Sequence, residues 1–165
     1  MSTQRSGRFL NIAKTLKTVY SKSFEQYSIA FSIIIFFTIC YLILSLNRYW
    51  QFEYFAFDTA YFDTAIWKVS QGEVPIVRHR ILGEINILGD HFHPTIFLFS
   101  LLYLIYPKQE MLFTGMSIAL GLAGVFATLI GFKLIKSRLL TYVFLCSFFL
   151  YLGTQNAFIS GFHEV

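Results

Sequence analysis

The stretch "YSIAFSIIIFFTICYLILSL", Tyr27 to Leu46, contains twenty residues and no charged side chain. An α-helix rises about 1.5 Å per residue, so this run covers about 30 Å, the thickness of the hydrocarbon core of a bilayer. The run is too long for the core of a signal peptide, and no small-residue cleavage site follows it. The sequence therefore predicts an uncleaved first transmembrane helix here.

The composition of the whole chain agrees with a membrane protein. Of 165 residues, 56% are hydrophobic and 13% are charged, whereas a soluble domain has about a quarter charged residues. Cys40 and Cys146 both lie inside apolar runs and are interpreted as small buried hydrophobes, not as a disulfide. We expect an all-α polytopic membrane protein with three transmembrane helices, at about residues 27–46, 111–132 and 139–159.

The first 26 residues carry five basic side chains and one acidic one. Apolar residues recur there at helical spacing, which is typical of a short basic amphipathic helix on an anionic membrane surface. A disordered basic tail is the alternative. Either interpretation places residues 1–26 in the cytoplasm, as a tail that precedes a membrane domain of residues 27–165. The positive-inside bias then predicts that the basic residues at 133–138 lie on the same side. We expect this domain to lie in the plasma membrane.

Residues 47–110 then form an outer loop between the first two spans. Within it, residues 95–106 are apolar but number only twelve, which gives a helix of about 18 Å, too short to cross a bilayer. Crossing would also carry the basic residues at 133–138 to the outside, against the positive-inside bias. We therefore expect a half-inserted helix over residues 95–106 and further juxtamembrane helices in the loop.

Two acidic residues stand out in "YFAFDTAYFDTAIWKVSQG", residues 54–72. Wound as an α-helix, this segment has an apolar stripe, and Asp58 borders the stripe on one side while Asp63 borders it on the other. An interfacial helix of this kind buries its stripe and holds both carboxylates at the level of the lipid headgroups. Asp58 and Asp63 are either site residues or plain markers of the water edge.

The densest set of coordinating side chains is "GDHFHP", residues 89–94. Asp90, His91 and His93 offer oxygen and nitrogen ligands suited to Zn²⁺ or Mn²⁺. A turn with an aspartate cap, or contact with a headgroup phosphate, is the alternative. His163 and Glu164 follow the third run on the same predicted face, where such residues also serve as ordinary interfacial anchors.

Three motifs in this order, "FDTAYFDTAIW", "LGDHFHP" and "GFHEV", resemble the membrane protein family known as domain of unknown function 2079 (DUF2079). The family pattern is approximately F-D-x-x-x-F-D, then G-D-H-F-x-P, then a later F-H. Members of the family resemble polytopic glycosyltransferases of the C-type (GT-C) fold. The resemblance covers residues 40–165.

The resemblance implies roles for individual residues. Asp58 or Asp63 matches the essential acid of the first outer loop, with Asp90 and His91 as further catalytic candidates and as ligands of a possible divalent metal ion. His93 stands where the family more often has a small residue, so the H-x-H pair is not a family signature. The substrate-binding candidates are His163, Glu164 and Trp67.

The implied function is the N-terminal part of a glycosyltransferase that uses a polyprenyl-phosphate-linked sugar at the outer face of the membrane. C-type enzymes usually have more spans, so we expect a fragment that is inactive alone. The alternative is a non-enzymatic membrane protein, either an assembly subunit or a piece of a transporter, although the long runs hold no mid-span ionisable residue. The expected partners are membrane lipid and the lipid-linked donor, and nucleic acid is excluded because the chain lacks a basic aromatic platform.

Overall fold

The computed structural model describes residues 2–54, 56–79, 81–90 and 92–160, and for residues 2–23, 56–58 and 90 it describes the backbone alone. In chain order the elements are α1 (Ser2–Trp50), α2 (Ala56–Ser70), β1 (Ile76–His79), β2 (Gly83–Asn86), α3 (Ile87–Asp90), α4 (Ile96–Tyr103), α5 (Glu110–Leu134), α6 (Arg138–Phe149) and α7 (Leu152–Ser160).

Among the described residues, three helical stretches are long and apolar enough to cross a membrane: Phe24–Trp50, Glu110–Leu134 and Arg138–Ser160. Each of them contains one of the three uncharged runs of the sequence, and the expectation of an all-α polytopic membrane protein is confirmed. The backbone of the basic N-terminal segment is helical and continues directly into the first span, because α1 begins at Ser2.

Helix α5 packs against α1 and α6 through glycines. A Cβ atom on Gly121 would lie 2.7 Å from Oγ1 of Thr38 in α1, and one on Gly124 would lie 2.6 Å from Cζ of Phe149 in α6. Side chains larger than hydrogen do not fit at such distances. The glycines therefore allow the close helix contacts on which association within a membrane depends.

The third span is broken, whereas the sequence predicted one continuous helix over residues 139–159. Helix α6 has 12 residues, or about 18 Å, so the break lies at membrane depth. Side chains bond the carbonyl oxygens that the break frees: Tyr41 to Phe149 at 2.5 Å, Gln155 to Leu150 at 2.8 Å and Thr154 to Phe148 at 3.3 Å. Such bonds are what make irregular backbone tolerable where water is absent.

The inter-span segment, residues 51–109, contains a β-hairpin that the sequence analysis did not predict. Strands β1 and β2 are antiparallel, with Val77 opposite Ile85 and His79 opposite Gly83. Gly83 has a φ of +78°, a left-handed conformation that glycine adopts without steric cost. The hairpin lies against α2.

Helix α2 buries its apolar stripe in protein. The interfacial interpretation placed this stripe on lipid, but Phe62 and Ile66 pack between α4 and the hairpin instead. The cluster they join is formed by Phe62, Ala65, Ile66, Val77, Ile87, Ile96, Tyr103 and Leu112. The burial of these side chains gives the inter-span segment a core of its own, seated on the first turns of α5.

Helix α4 occupies the place of the predicted half-inserted helix. It has 8 residues, or about 12 Å, which is too short to cross a bilayer. One face joins the core through Ile96 and Tyr103, while Leu98 and Leu101 on the opposite side are exposed. An apolar helix with such an outer face suits partial insertion, and its depth in the membrane stays a prediction.

Candidate functional site

The site is built around Asp63 of α2 and Tyr103 of α4. The hydroxyl of Tyr103 donates a hydrogen bond to Oδ1 of Asp63. The Tyr103 side chain is only 2% exposed, because α2 and α4 pack against each other along the core of the inter-span segment. The packing therefore fixes this tyrosine beside the carboxylate.

The surroundings of this pair alter its proton affinity. Burial raises the pKa of the Asp63 carboxyl, the hydrogen bond from Tyr103 lowers it, and the negative charge of Glu110 raises it, so the result is a pKa above the ordinary value. Burial, together with the hydrogen bond to Asp63 and its charge, also raises the pKa of Tyr103. Tyr103 therefore remains a proton donor, while Asp63 holds its own proton more readily than an exposed aspartate.

A cleft of about 260 Å³ is lined by Tyr49, Phe52, Tyr54, Thr59, Ala60 and Gln109. Asp63 and Tyr103 are not among these lining residues, but Tyr49, which is, interacts electrostatically with both Asp63 and Glu110. Asp63 follows Thr59 and Ala60 by one turn of α2, and Glu110 follows Gln109 at the start of α5. The cleft therefore combines aromatic walls with a hydroxyl, an amide and two nearby carboxylates. Mixed linings of this kind are common in ligand-binding clefts.

Phe52 adopts an unusual backbone conformation at the edge of the cleft. Its φ is 56°, a left-handed value that glycine normally supplies after a helix. The amide of Glu53 donates to the carbonyl of Arg48 and that of Phe52 to the carbonyl of Tyr49, both at 3.0 Å, so this turn closes the end of α1. The Phe52 side chain is 94% exposed, and its ring therefore lines the cleft without packing into a core.

Tyr54 ties the cleft to two of the spans. Its ring stacks on Phe113 of α5 with centroids 4.9 Å apart, and its hydroxyl donates to the carbonyl oxygen of Phe158 in α7 at 2.8 Å. The guanidinium of Arg48 lies 5.6 Å from the centroid of the Tyr54 ring and forms an ion pair of 3.0 Å with Glu53. The end of α7 is thus held beside the cleft.

The acids of the first motif are both on α2, as the helical spacing predicted. Asp63 contacts Tyr103, whereas the side chain of Asp58 lies outside the described residues. Trp67 is 43% exposed and is not part of the cleft lining. Of these three, the structure brings Asp63 into a defined polar contact.

The residues of the later motifs are less fully described. Asp90 ends α3 with its side chain outside the described residues, and His91, His163 and Glu164 lie outside them altogether. His93 is half-buried, with its ring 5.8 Å from that of Phe62. Among the side chains that the structure describes, no group of three or more His, Cys, Asp or Glu residues could hold a metal ion.

Sequence reasoning missed the partners of Asp63. Tyr103 lies in an apolar run, where a tyrosine is usually a core residue, and Glu110 marks the start of a span. A tyrosine within a short helix whose other residues, apart from Ser100, are apolar was the available signal, because a buried hydroxyl needs a hydrogen-bond partner.

Comparisons with known proteins place the chain in one family. No curated protein and no solved structure is significantly similar to it. The family model described as "Predicted membrane protein (DUF2079)" matches residues 48–165, which is most of the chain and includes the inter-span segment and the second and third spans. The chain therefore belongs to the DUF2079 family of predicted membrane proteins.

Proposed function

We propose that the chain is part of a membrane glycosyltransferase that transfers a sugar from a polyprenyl-phosphate carrier. The observation that carries the proposal is the half-buried Asp63, bonded to Tyr103 beside an aromatic cleft. The cleft lies where α1 ends and α5 begins, so a lipid-anchored donor reaches it from the bilayer while the acceptor arrives from water. The alternative is a membrane protein without enzymatic activity.

Asp63 acts as the general base in this proposal. Tyr103 occupies Oδ1, and Oδ2 takes the proton from the acceptor hydroxyl. The acceptor oxygen bonds to the anomeric carbon as the bond from that carbon to the phosphate oxygen breaks, and the electron pair leaves with the lipid phosphate. Because the pKa of the Asp63 carboxyl is raised, it lies closer to neutral pH, and a general base is most effective when its pKa is near the working pH.

The cleft holds the sugar. The rings of Tyr49, Phe52 and Tyr54 offer flat apolar faces, and Thr59 and Gln109 offer groups that bond hydroxyls. We keep the earlier candidates His163, Glu164 and Trp67 as substrate contacts. What supports His163 and Glu164 is that the hydrogen bond from the Tyr54 hydroxyl to the Phe158 carbonyl brings the last turn of α7 to the wall of the cleft.

The proposed orientation puts the N-terminus in the cytoplasm and the inter-span segment outside the plasma membrane. The basic residues after α5 support it, since Lys133, Lys136 and Arg138 would then be cytoplasmic. This places the cleft at the outer boundary between membrane and water, where lipid-linked sugars are used.

A divalent cation at Asp90 and His91 is a separate part of the proposal. One carboxylate and one imidazole are too few for a closed zinc site, but they fit an ion that also binds substrate phosphate. Cation binding to the protein in detergent should weaken in His91→Ala more than in His93→Ala, and it should fall as pH drops through about 6.5. Equal losses would indicate an H-x-H chelate instead.

The deciding experiment measures sugar transfer from polyprenyl-phosphate donors in membranes that contain the full-length protein. Asp63→Asn is near-isosteric and should lower the rate by about 10²–10⁴-fold, as loss of a general base does. Asp58→Asn tests the second acid, and Glu73→Gln, at an exposed position, is the matched control. Full activity in both aspartate variants would leave them as markers of the water edge and would reject the proposed base.

A further inference from the structure

We infer that the tip of the β1–β2 hairpin, residues 81–83, inserts into the anionic headgroup layer of the leaflet next to the inter-span segment. The inference concerns membrane contact and does not depend on the proposed sugar transfer. It rests on the exposure of the tip, on the way its backbone is bonded, and on its charge.

The tip presents two large aliphatic side chains that nothing in the described chain covers. Ile81 is 85% exposed and Leu82 is 62% exposed. Turns that face water are usually built from Gly, Pro, Asn, Asp or Ser, which satisfy the backbone or adopt left-handed conformations. Here Gly83 fills the left-handed position, and Ile81 and Leu82 add an apolar surface that the turn itself does not need.

The backbone of the tip is already satisfied by a side chain. Nδ1 of His79 accepts the amide of Ile81 at 3.2 Å and the amide of Leu82 at 3.1 Å. The His79 ring meets that of Tyr61 edge-on at 6.2 Å, which braces the turn against α2. Because these two amides are already bonded within the chain, moving the tip out of bulk water leaves neither of them unpaired.

Basic residues flank the apolar tip. Arg78 is exposed on β1, and Arg80 directly precedes Ile81 in the sequence. An apolar tip with an exposed arginine beside it fits anionic lipid, because the negative potential of such a membrane surface attracts arginine side chains. Glu84, opposite Arg78 in the strand register, is the acid nearest to the tip in the hairpin.

The membrane is within reach of this tip. The inter-span segment is joined to a span at each end, at Trp50 and at Glu110, so it cannot leave the surface. The hairpin and α4 contribute Val77 and Ile96 to the same core, and the far side of α4 exposes Leu98 and Leu101. The tip and the outer side of α4 therefore both expose apolar side chains in a segment that is tied to the membrane at each end.

The test is spin-label depth in nanodiscs made with and without anionic phosphatidylglycerol. The label is placed at Leu82→Cys in a background with Cys40→Ser and Cys146→Ser, and Gln71→Cys, exposed in the same segment, is the control. We expect the Leu82 label to be more accessible to oxygen than to a water-soluble nickel chelate, and the Gln71 label to show the reverse. Adding Arg78→Gln should reduce the immersion of the Leu82 label in anionic discs.

Three results would overturn the inference. Equal nickel accessibility at the two positions would place the tip in water. Protection from both oxygen and nickel would mean that protein covers it. Immersion that is the same with and without anionic lipid, and is unchanged by Arg78→Gln, would remove the role of charge.

Discussion

The hydroxyl of Tyr103 donates a hydrogen bond to Asp63, and this contact joins two helices whose residues are 40 positions apart in the chain. Asp63 differs from an ordinary surface aspartate first because it is half-buried, and the contact with Tyr103 works against that effect. Burial and Glu110 raise the pKa of Asp63, and Tyr103 opposes them. Changes at Tyr103 and Asp63 can therefore distinguish a catalytic base from an aspartate that only marks the water edge.

Tyr103→Phe should shift the pH dependence of transfer. The hydrogen bond favours the ionised form of Asp63, so its loss raises the pKa of that carboxyl further. The acid limb of the rate profile should move to higher pH, and the free energy of unfolding should fall by about 1 kcal/mol. Rates measured across pH check this, with Tyr106→Phe as the control. An unmoved acid limb would mean that another group is the base.

Asp63→Asn should change how stability depends on pH. A carboxyl whose pKa is raised on folding contributes stability below its unfolded pKa and loses it as pH rises through the folded pKa. Asparagine does not ionise, so the variant does not lose this stability as pH rises, and its amide oxygen can still accept the hydrogen bond from Tyr103. Thermal unfolding in detergent should therefore show Asp63→Asn as stable as the wild type or more stable at neutral pH, with an advantage that shrinks on acidification. A lower melting temperature at neutral pH would contradict the raised pKa.

The sequence predicted those features that depend on neighbours along the chain. Length and missing charge identify three spans, and helical spacing places Asp63 at the border of an apolar stripe that the structure buries through Phe62 and Ile66. The prediction that lipid covers this stripe was wrong, because an apolar face has the same sequence pattern whether lipid or protein covers it. Tyr103 belongs to that protein partner, so its role could not be foreseen either.

The missed features depend on contacts across long separations. The break between α6 and α7 is stabilised by Tyr41, which lies 108 residues before Phe149. Along residues 139–159 the sequence shows one run of polar residues, Thr154, Gln155 and Asn156, which does not by itself indicate a break. Strands β1 and β2 have four residues each, too few for an alternating pattern to emerge. Both features follow from tertiary packing.

Phe52→Gly should stabilise the protein while weakening the cleft. A left-handed non-glycine residue costs about 1–2 kcal/mol, and the Phe52 ring is 94% exposed, so its removal sacrifices little burial. We expect a higher melting temperature together with a higher KM for the donor. Phe92→Gly, also at a highly exposed phenylalanine, removes a ring outside the cleft lining and is the control for the KM. An unchanged KM would mean that the ring is not a wall of the substrate site.

The proposed orientation predicts which loops react from outside. The variants are expressed in a background in which Cys40 and Cys146 are replaced, and intact cells are treated with a membrane-impermeant maleimide. Gln71→Cys should be labelled directly, and Ser137→Cys should be labelled only after permeabilisation. External labelling of both would mean that residues 95–106 cross the membrane after all. Labelling of Ser137→Cys alone would reverse the orientation of the whole chain.

Tyr41→Phe should destabilise the broken third span. The Tyr41 hydroxyl is buried and donates to the Phe149 carbonyl at 2.5 Å, while its ring contacts Phe158 with centroids 4.6 Å apart. Phenylalanine keeps the ring contact and leaves the carbonyl unpaired at membrane depth, which should cost about 1–2 kcal/mol. The measurement is the melting temperature in detergent and in lipid, with Tyr27→Phe, a half-exposed tyrosine that packs edge-on against Phe132, as the control. A Tyr41→Phe variant as stable as the wild type would mean that the hydrogen bond to the Phe149 carbonyl does not stabilise the break.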